Sequence, residues 1–299
     1  MTTTLFIGLG NMGAPMAIRH AKAFPTTVFD LSAEAVAHVL AEGGATAVAD
    51  PADAAADAGT VILMLPASRH VEAVLTGEDG LLGRLAPGAL VIDMGSSEPS
   101  STRALAEVAA ERGIDYVDAP VSGGVAKAVT GELAIMAGGT AAAVERARPH
   151  LDVLGASIRH VGSAGSGDAA KALNNLVSAS NIAVASEALA IARRFGIEPA
   201  VMTEVLNAAT GRSQASEVKF PGHILPGTFA SGFAYDLMLK DIGIAMSIAD
   251  GLDTPVVDRV SERLRDGRAQ LGDAPDHTEI ARLYGLGDAD PTAPKENRE

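Results

Sequence analysis

The chain has 299 residues, nearly half of them apolar, with 37 acidic against 23 basic side chains and a formal charge of -14. That length and composition support one large or two ordinary domains with a substantial core, while the absence of any lysine or arginine run argues against a nucleic-acid partner. No cysteine is present, which excludes disulfides, thiolate nucleophiles and cysteine-held metals, and the seven scattered histidines include no pair at helical ligand spacing, so no metal site is expected.

Residues 1–164 alternate short apolar runs with segments of helical composition. The runs Leu5–Ile7, Thr27–Phe29, Val61–Leu65, Leu90–Ile92 and Tyr116–Val117 are separated by stretches such as Ala33–Glu42 and Ser101–Arg112. Two more, Leu133–Ala137 and Ile158–Val161, flank a helical stretch near Ala141–Leu154. Such alternation implies an α/β domain of the Rossmann type, doubly wound, with a mostly parallel sheet. The amino terminus carries no basic region ahead of its short apolar run, so a cytoplasmic protein with no membrane partner is expected.

The first motif is Gly8-Leu9-Gly10-Asn11-Met12-Gly13, placed after a strand and opening a helix. Its glycines permit a tight turn and close approach of a pyrophosphate to the free N–H groups of a helix start. Asp30 closes the second strand about twenty residues on, where a carboxylate accepts bonds from both ribose hydroxyls and repels a 2'-phosphate. NAD is therefore expected rather than NADP. Leu65-Pro66 and Ser96-Ser97 follow later strands, at the carboxyl edge where ligands of such sheets lie, although each reads equally well as an ordinary turn. Asp118-Ala119-Pro120-Val121-Ser122-Gly123-Gly124 comes next, and the hydroxyl of Ser122 with the backbone of Gly123 and Gly124 suits a carboxylate, though a tight loop is the commoner use of such a sequence.

Residues 165–299 carry no strand alternation and read as helices. The first and longest runs from Gly167 to Gly196, free of proline and closed by Arg193 and Arg194, which complement the helix dipole. Apolar residues on nearly every face, among them Ala172, Leu173, Leu176, Val177, Ile182, Val184, Leu189, Ile191 and Phe195, predict a helix buried all round. Lys171 and Asn175 interrupt that pattern four residues apart, hence on one face. A lysine near a helix end usually snorkels to water, but in an apolar cleft its ammonium form is disfavoured and it becomes a serviceable base. Further helices are expected at Pro199–Ala209, Tyr235–Gly251 and Pro255–Arg268, followed by a loose tail from residue 286. Lys240 and Asp241 read as a solvated pair and a structural carboxylate, while Arg212 either binds an acidic group or faces water.

Four stretches occur in order: FIGLGNMGAPMA at the amino terminus, DAPVSGG at Asp118–Gly124, the Lys171 to Asn175 spacing, and FAYDLMLKD at Phe233–Asp241. Together they resemble the β-hydroxyacid dehydrogenase family, whose members include 3-hydroxyisobutyrate dehydrogenase and tartronate semialdehyde reductase, over residues 3–285. The resemblance implies a Rossmann-type domain joined by a long helix to an all-α domain, in a homodimer or homotetramer. It implies hydride transfer between NAD and a short 3-hydroxy acid, a small carboxylate. By the same likeness Lys171 would be the general acid/base, Asn175 would orient the substrate, Ser122, Gly123 and Gly124 would hold its carboxylate, and Lys240 would reach the cofactor. Met94-Gly95 departs from the serine pair that relatives often carry, and Gly211-Arg212-Ser213 and Asp276-His277 fall where substrates differ. An imine reductase shares the motif order, and Lys171 counts against it.

Overall fold

The computed structural model describes residues 3–287 and divides into two compact units between Ala172 and Leu173. The division falls within the long helix.

The first unit is a nine-stranded sheet. β1 (Thr3–Ile7), β2 (Thr26–Phe29), β3 (Ala45–Ala47), β4 (Ala58–Leu63), β5 (Leu90–Asp93) and β6 (Asp115–Asp118) lie in the order β3-β2-β1-β4-β5-β6, all parallel. β7 (Val121–Ser122) and β8 (Leu133–Gly138) continue it, with β8 antiparallel to both β6 and β7, and β9 (Gly155–Gly162) pairs parallel to β8. Successive residues of the central strands serve opposite faces. Phe6, Ile62, Leu90 and Ile92 enter one apolar cluster, while Leu5, Ile7, Val61, Leu63 and Val91 enter the other. Helices cover both faces, so these strands are apolar throughout instead of alternating with polar residues. Each fully buried aliphatic side chain contributes about 1.5–3 kcal/mol.

The helices that matter to the site are α1 (Gly13–Ala21), α2 (Ala33–Ala41), α3 (Pro51–Ala55), α4 (Ser68–Thr76), α5 (Pro99–Glu111), α6 (Gly124–Thr130), α7 (Ala141–Leu154) and α8 (Ser166–Phe195). The order reverses between β1 and β4, and ligands of open α/β sheets bind at the carboxyl ends of strands beside such a reversal.

The second unit contains the rest of α8, then α9 (Pro199–Ala208), α10 (Tyr235–Ile248) and α11 (Pro255–Arg268). A π-type helix at Ala215–Ile224 and a 3-10 segment at His277–Tyr284 were not legible in the sequence. Pro221-Gly222 inside the former is a dipeptide that reads as a turn. Phe220, Ile224, Tyr235, Ile242, Leu264 and Ile280 are all buried, and the Tyr235 hydroxyl donates to the Leu264 carbonyl at 2.8 Å.

The long helix is not buried all round. Ala172, Leu176, Ile182 and Leu189 are, but Leu173, Val177, Val184, Ile191 and Phe195 are exposed, Phe195 to 84%. Their spacing of four and seven residues puts them in one stripe along the helix, so the apolar composition reflects two faces of different fate. By length and hydropathy α8 would pass for a membrane span, yet half of its most apolar window is buried inside the protein. The loose tail expected from residue 286 lies almost wholly outside the described residues, which end at Gly287; the Leu286 N–H donates to the Ala281 carbonyl and its side chain is buried.

A polar chain crosses the first unit. His20 on α1 meets Thr26 Oγ1 through Nδ1 at 2.9 Å and His150 Nδ1 through Nε2 at 2.9 Å, and His150 Nε2 meets Thr60 Oγ1 at 3.2 Å. Burial, then the neighbouring His150, holds His20 down at about 3, and burial lowers His150 as well. Both rings are thus neutral at physiological pH. Because unfolded His20 regains its ordinary value near 6.5, its contribution to stability is present above that pH and lost as pH falls toward about 3. Urea unfolding of His20→Leu should therefore show a shallower loss of stability between these limits than the parent; equal slopes would contradict the burial of a neutral ring.

Candidate functional site

Parallel strands deliver their carboxyl ends to one edge, and the loops there are packed more closely than side chains allow. Gly8 follows β1 with φ +97, and a Cβ on it would sit 2.4 Å from the Met64 carbonyl oxygen. A Cβ on Gly13 would lie 1.9 Å from the Gly8 carbonyl oxygen, whereas one on Gly10 would meet nothing within 4 Å. The first and third glycines are thus fixed by packing, and the second faces open space.

Met12, at the N-cap of α1, makes no side-chain cap bond; within the first turn Ala14 donates its N–H to the Gly10 carbonyl at 3.0 Å and Pro15 has no N–H. This cradle fits the pyrophosphate of a dinucleotide: open above Gly10, with backbone donors and the positive end of a helix dipole. Leu9, Gly10, Asn11, Pro15, Asp30 and Ser32 line part of a groove of about 790 Å³ beside it.

Asp30 stands just beyond β2, its Oδ2 accepting the Leu9 N–H at 2.6 Å and its Oδ1 the Ser32 N–H at 2.8 Å. Two backbone donors orient the carboxylate toward the fingerprint, and each oxygen retains a lone pair for a further donor. The loop after β4 is adjacent, since a Cβ on Gly8 would also lie 3.1 Å from Leu65 Cδ2. Pro66 is exposed. The Gly95 N–H donates to Asp93 Oδ1, and a Cβ on Gly95 would be 2.7 Å from the Leu65 carbonyl oxygen, which brings the loop bearing Ser96 against the loop bearing Leu65. Leu65, the backbone of Ser96 and the fingerprint therefore share one edge.

Ser122 lies on β7, paired with Ala134 on β8, and Gly123 and Gly124 follow with φ +135 and +72. Neither glycine conformation is open to ordinary side chains. The stem of Lys127 packs over Gly123, where a Cβ would be 2.7 Å from Lys127 Cδ. Lys127 is a cation beside this loop that sequence reading did not single out.

Three buried aspartates connect these loops. Asp93 Oδ2 accepts from Ser97 Oγ at 2.9 Å; Asp118 accepts the N–H groups of Gly165 at 2.9 Å and Asp168 at 3.1 Å; Asp168 accepts the Ser97 N–H at 3.0 Å and Thr102 Oγ1 at 2.7 Å. Burial pushes Asp93 up to about 6, outweighing the bonds from Gly95 and Ser97. Asp168 rises well above the ordinary carboxylate range, by burial first and then by repulsion from Asp93 and Asp118; burial raises Asp118 too. Asp118 belongs to a quoted motif, but nothing in spacing linked it to Asp168 or Asp93. Among the described residues no cluster of side chains is suited to a metal ion.

Lys171 follows Asp168 by one helical turn in the first unit and is partly buried. In the second unit Asn175 is buried, donating Nδ2 to Asp241 Oδ2 at 2.6 Å and accepting from Asn174 Nδ2 at 3.2 Å. Asp241 Oδ1 meets Lys240 Nζ at 3.3 Å. Asp241 thus fixes the Asn175 amide with one oxygen and neutralises Lys240 with the other. Arg212 pairs at the surface with Glu217 at 3.5 Å, and Asp276 caps the 3-10 segment in a capping box with Glu279.

Comparison with known proteins gives the family and the fold. Residues 3–162 match the family model of the NAD binding domain of 6-phosphogluconate dehydrogenase, and residues 165–284 that of the NAD-binding part of NADP-dependent 3-hydroxyisobutyrate dehydrogenase. The chain is 43% identical to 2-(hydroxymethyl)glutarate dehydrogenase of Eubacterium barkeri over 88% of each chain. It is 42% identical to the NAD-dependent L-serine dehydrogenase of Pseudomonas aeruginosa, over 83% of this chain and 86% of that one. The solved Mycobacterium tuberculosis 3-hydroxyisobutyrate dehydrogenase with L-serine superposes with a TM-score of 0.87 at 32% identity, covering 95% of this chain and 99% of the other. The chain belongs to the β-hydroxyacid dehydrogenase family and is a nicotinamide-dependent hydroxyacid dehydrogenase.

Proposed function

We propose that the enzyme oxidises small 2-substituted 3-hydroxypropanoates, HOCH2–CH(R)–COO⁻, to their semialdehydes, with NAD as the preferred acceptor. The observation that carries this reading is chemical. The 2-(hydroxymethyl)glutarate, L-serine and 3-hydroxyisobutyrate named for the relatives all carry a hydroxymethyl group on the carbon next to a carboxylate, and differ only in R. Glycerate, the reduced partner of tartronate semialdehyde, is the case in which R is hydroxyl.

The bound dinucleotide supplies the acceptor for the hydride that leaves the hydroxymethyl carbon. In this proposal the chain does the remainder. Ser122 and the backbone of Gly123 and Gly124 hold the substrate carboxylate, Asn175 orients the reacting oxygen, and Lys240 contacts the cofactor. Lys171 takes the hydroxyl proton as the carbon becomes an aldehyde, and returns it in reduction. Lys171 counts against an imine reductase.

Asp30 supports the preference for NAD. Its carboxylate, held by Leu9 and Ser32, offers acceptors to a ribose diol and a repulsive charge to a 2'-phosphate.

Lys171→Ala should lower kcat by about 10²–10⁴-fold with 3-hydroxyisobutyrate or L-serine, while the Kd for NADH measured by fluorescence stays close to that of the parent. Near-normal turnover would remove the assignment. For Asp30→Ala, steady-state kinetics with both dinucleotides should show KM for NAD rising by roughly 10- to 100-fold, the worth of bonds to a charged acceptor, with a narrower gap to NADP. An unchanged preference would refute the role given to Asp30.

A further inference from the structure

The first turn of α8 is tied from two sides by carboxylates that no step of the proposed reaction uses. A helix start leaves N–H groups without intrahelical partners, usually met by the residue just before the helix or by water. Here the acceptor comes from a distant strand end: Asp118, fully buried at the end of β6, takes the Gly165 and Asp168 N–H groups on its two oxygens.

The seat is tight. A Cβ on Gly138 would lie 2.5 Å from Asp118 Oδ1, and one on Gly167 would lie 2.3 Å from the Met136 carbonyl oxygen, so the helix end rests directly on β6 and β8. In the other direction the Asp168 side chain leaves the same turn to accept from Ser97, in the loop after β5, and from Thr102 on α5. Ser97 in turn donates to Asp93 at the end of β5.

We propose that Asp118 and Asp168 are positioning residues that lock the axial and rotational setting of α8, and through it the location of Lys171 relative to the loops after β5 and β6. This rests on the acid–base reading of Lys171. A slip of one residue along a helix moves a side chain by ~1.5 Å and turns it by about 100°. A displacement of about 1 Å at a reacting group costs on the order of 10²-fold in rate, so a lysine on a helix start needs such anchoring. Opposed ties fix both coordinates, which a single cap would not do.

The test compares Asp118→Asn with the parent. The amide keeps the size of the side chain but turns one acceptor into a donor facing a backbone N–H, breaking one of the two bonds. In the full-length enzyme with L-serine or 3-hydroxyisobutyrate, kcat should fall by about 10- to 100-fold. The Kd for NADH, measured by fluorescence titration, should stay within about threefold, because the fingerprint is untouched. A kcat within about twofold of the parent would overturn the proposal, and so would parallel loss of turnover and NADH binding, which marks a merely structural role. Should Asp118→Asn not fold, Thr102→Val, which removes one of the two side-chain ties of Asp168, is judged by the same two readouts. Lys171→Ala measured alongside separates the failures. An active Lys171→Ala sinks the acid–base reading and the proposal with it, whereas an inactive Lys171→Ala beside a fully active Asp118→Asn sinks only the positioning role.

Discussion

One constraint governs the carboxyl edge of the sheet: glycines there meet neighbouring atoms at separations that leave no room for a side chain. At Gly8 against Met64, Gly95 against Leu65, Gly138 against Asp118 and Gly167 against Met136, an added Cβ would come to between 2.3 and 2.7 Å of its neighbour. Four loops and two helix starts are thereby drawn over adjacent strand ends. At α1 the loop backbone at Gly10 faces open space, which is what a dinucleotide requires; at α8 the close approach leaves N–H groups facing protein, which is what Asp118 satisfies.

That difference explains why three carboxylates are buried in a chain already at -14. An uncompensated buried charge costs several kcal/mol, and three near one another repel. Each is surrounded by donors, and burial still dominates, raising all three above the ordinary carboxylate value. Such an arrangement adds little stability compared with an apolar core. Its benefit is geometric: it fixes β5, β6 and α8 to one another at the place where Lys171 begins its turn.

The sheet was legible because its central strands are short apolar runs alternating with helical segments, and the fingerprint was legible because its strand and helix context is local. β3 and β7 were missed for want of signal: Ala45-Thr46-Ala47 has no bulky apolar residue, and β7 is two residues long. The helix at Ala215–Ile224 was hidden by its Pro-Gly pair. The long helix was found within a residue at each end, but its exposed stripe was read as core, since hydrophobicity alone does not say which face has a neighbour. Of the candidate site, Lys171 and Asn175 were visible as polar interruptions of an apolar helix. Asp93, Asp118 and Asp168 were not, because their relation is made by the fold: Asp118 and Asp168 are 50 residues apart in sequence and one hydrogen bond apart in space.

The proposed reaction moves a hydride from the hydroxymethyl carbon of a 2-substituted 3-hydroxypropanoate to a nicotinamide. It is tested most directly by incubating the enzyme with NAD and substrate deuterated at that carbon, then locating the label by NMR. Deuterium is expected at C4 of the reduced nicotinamide ring, in step with formation of the semialdehyde. Reduced cofactor without label, or no reduction with any substrate of this class, would contradict it.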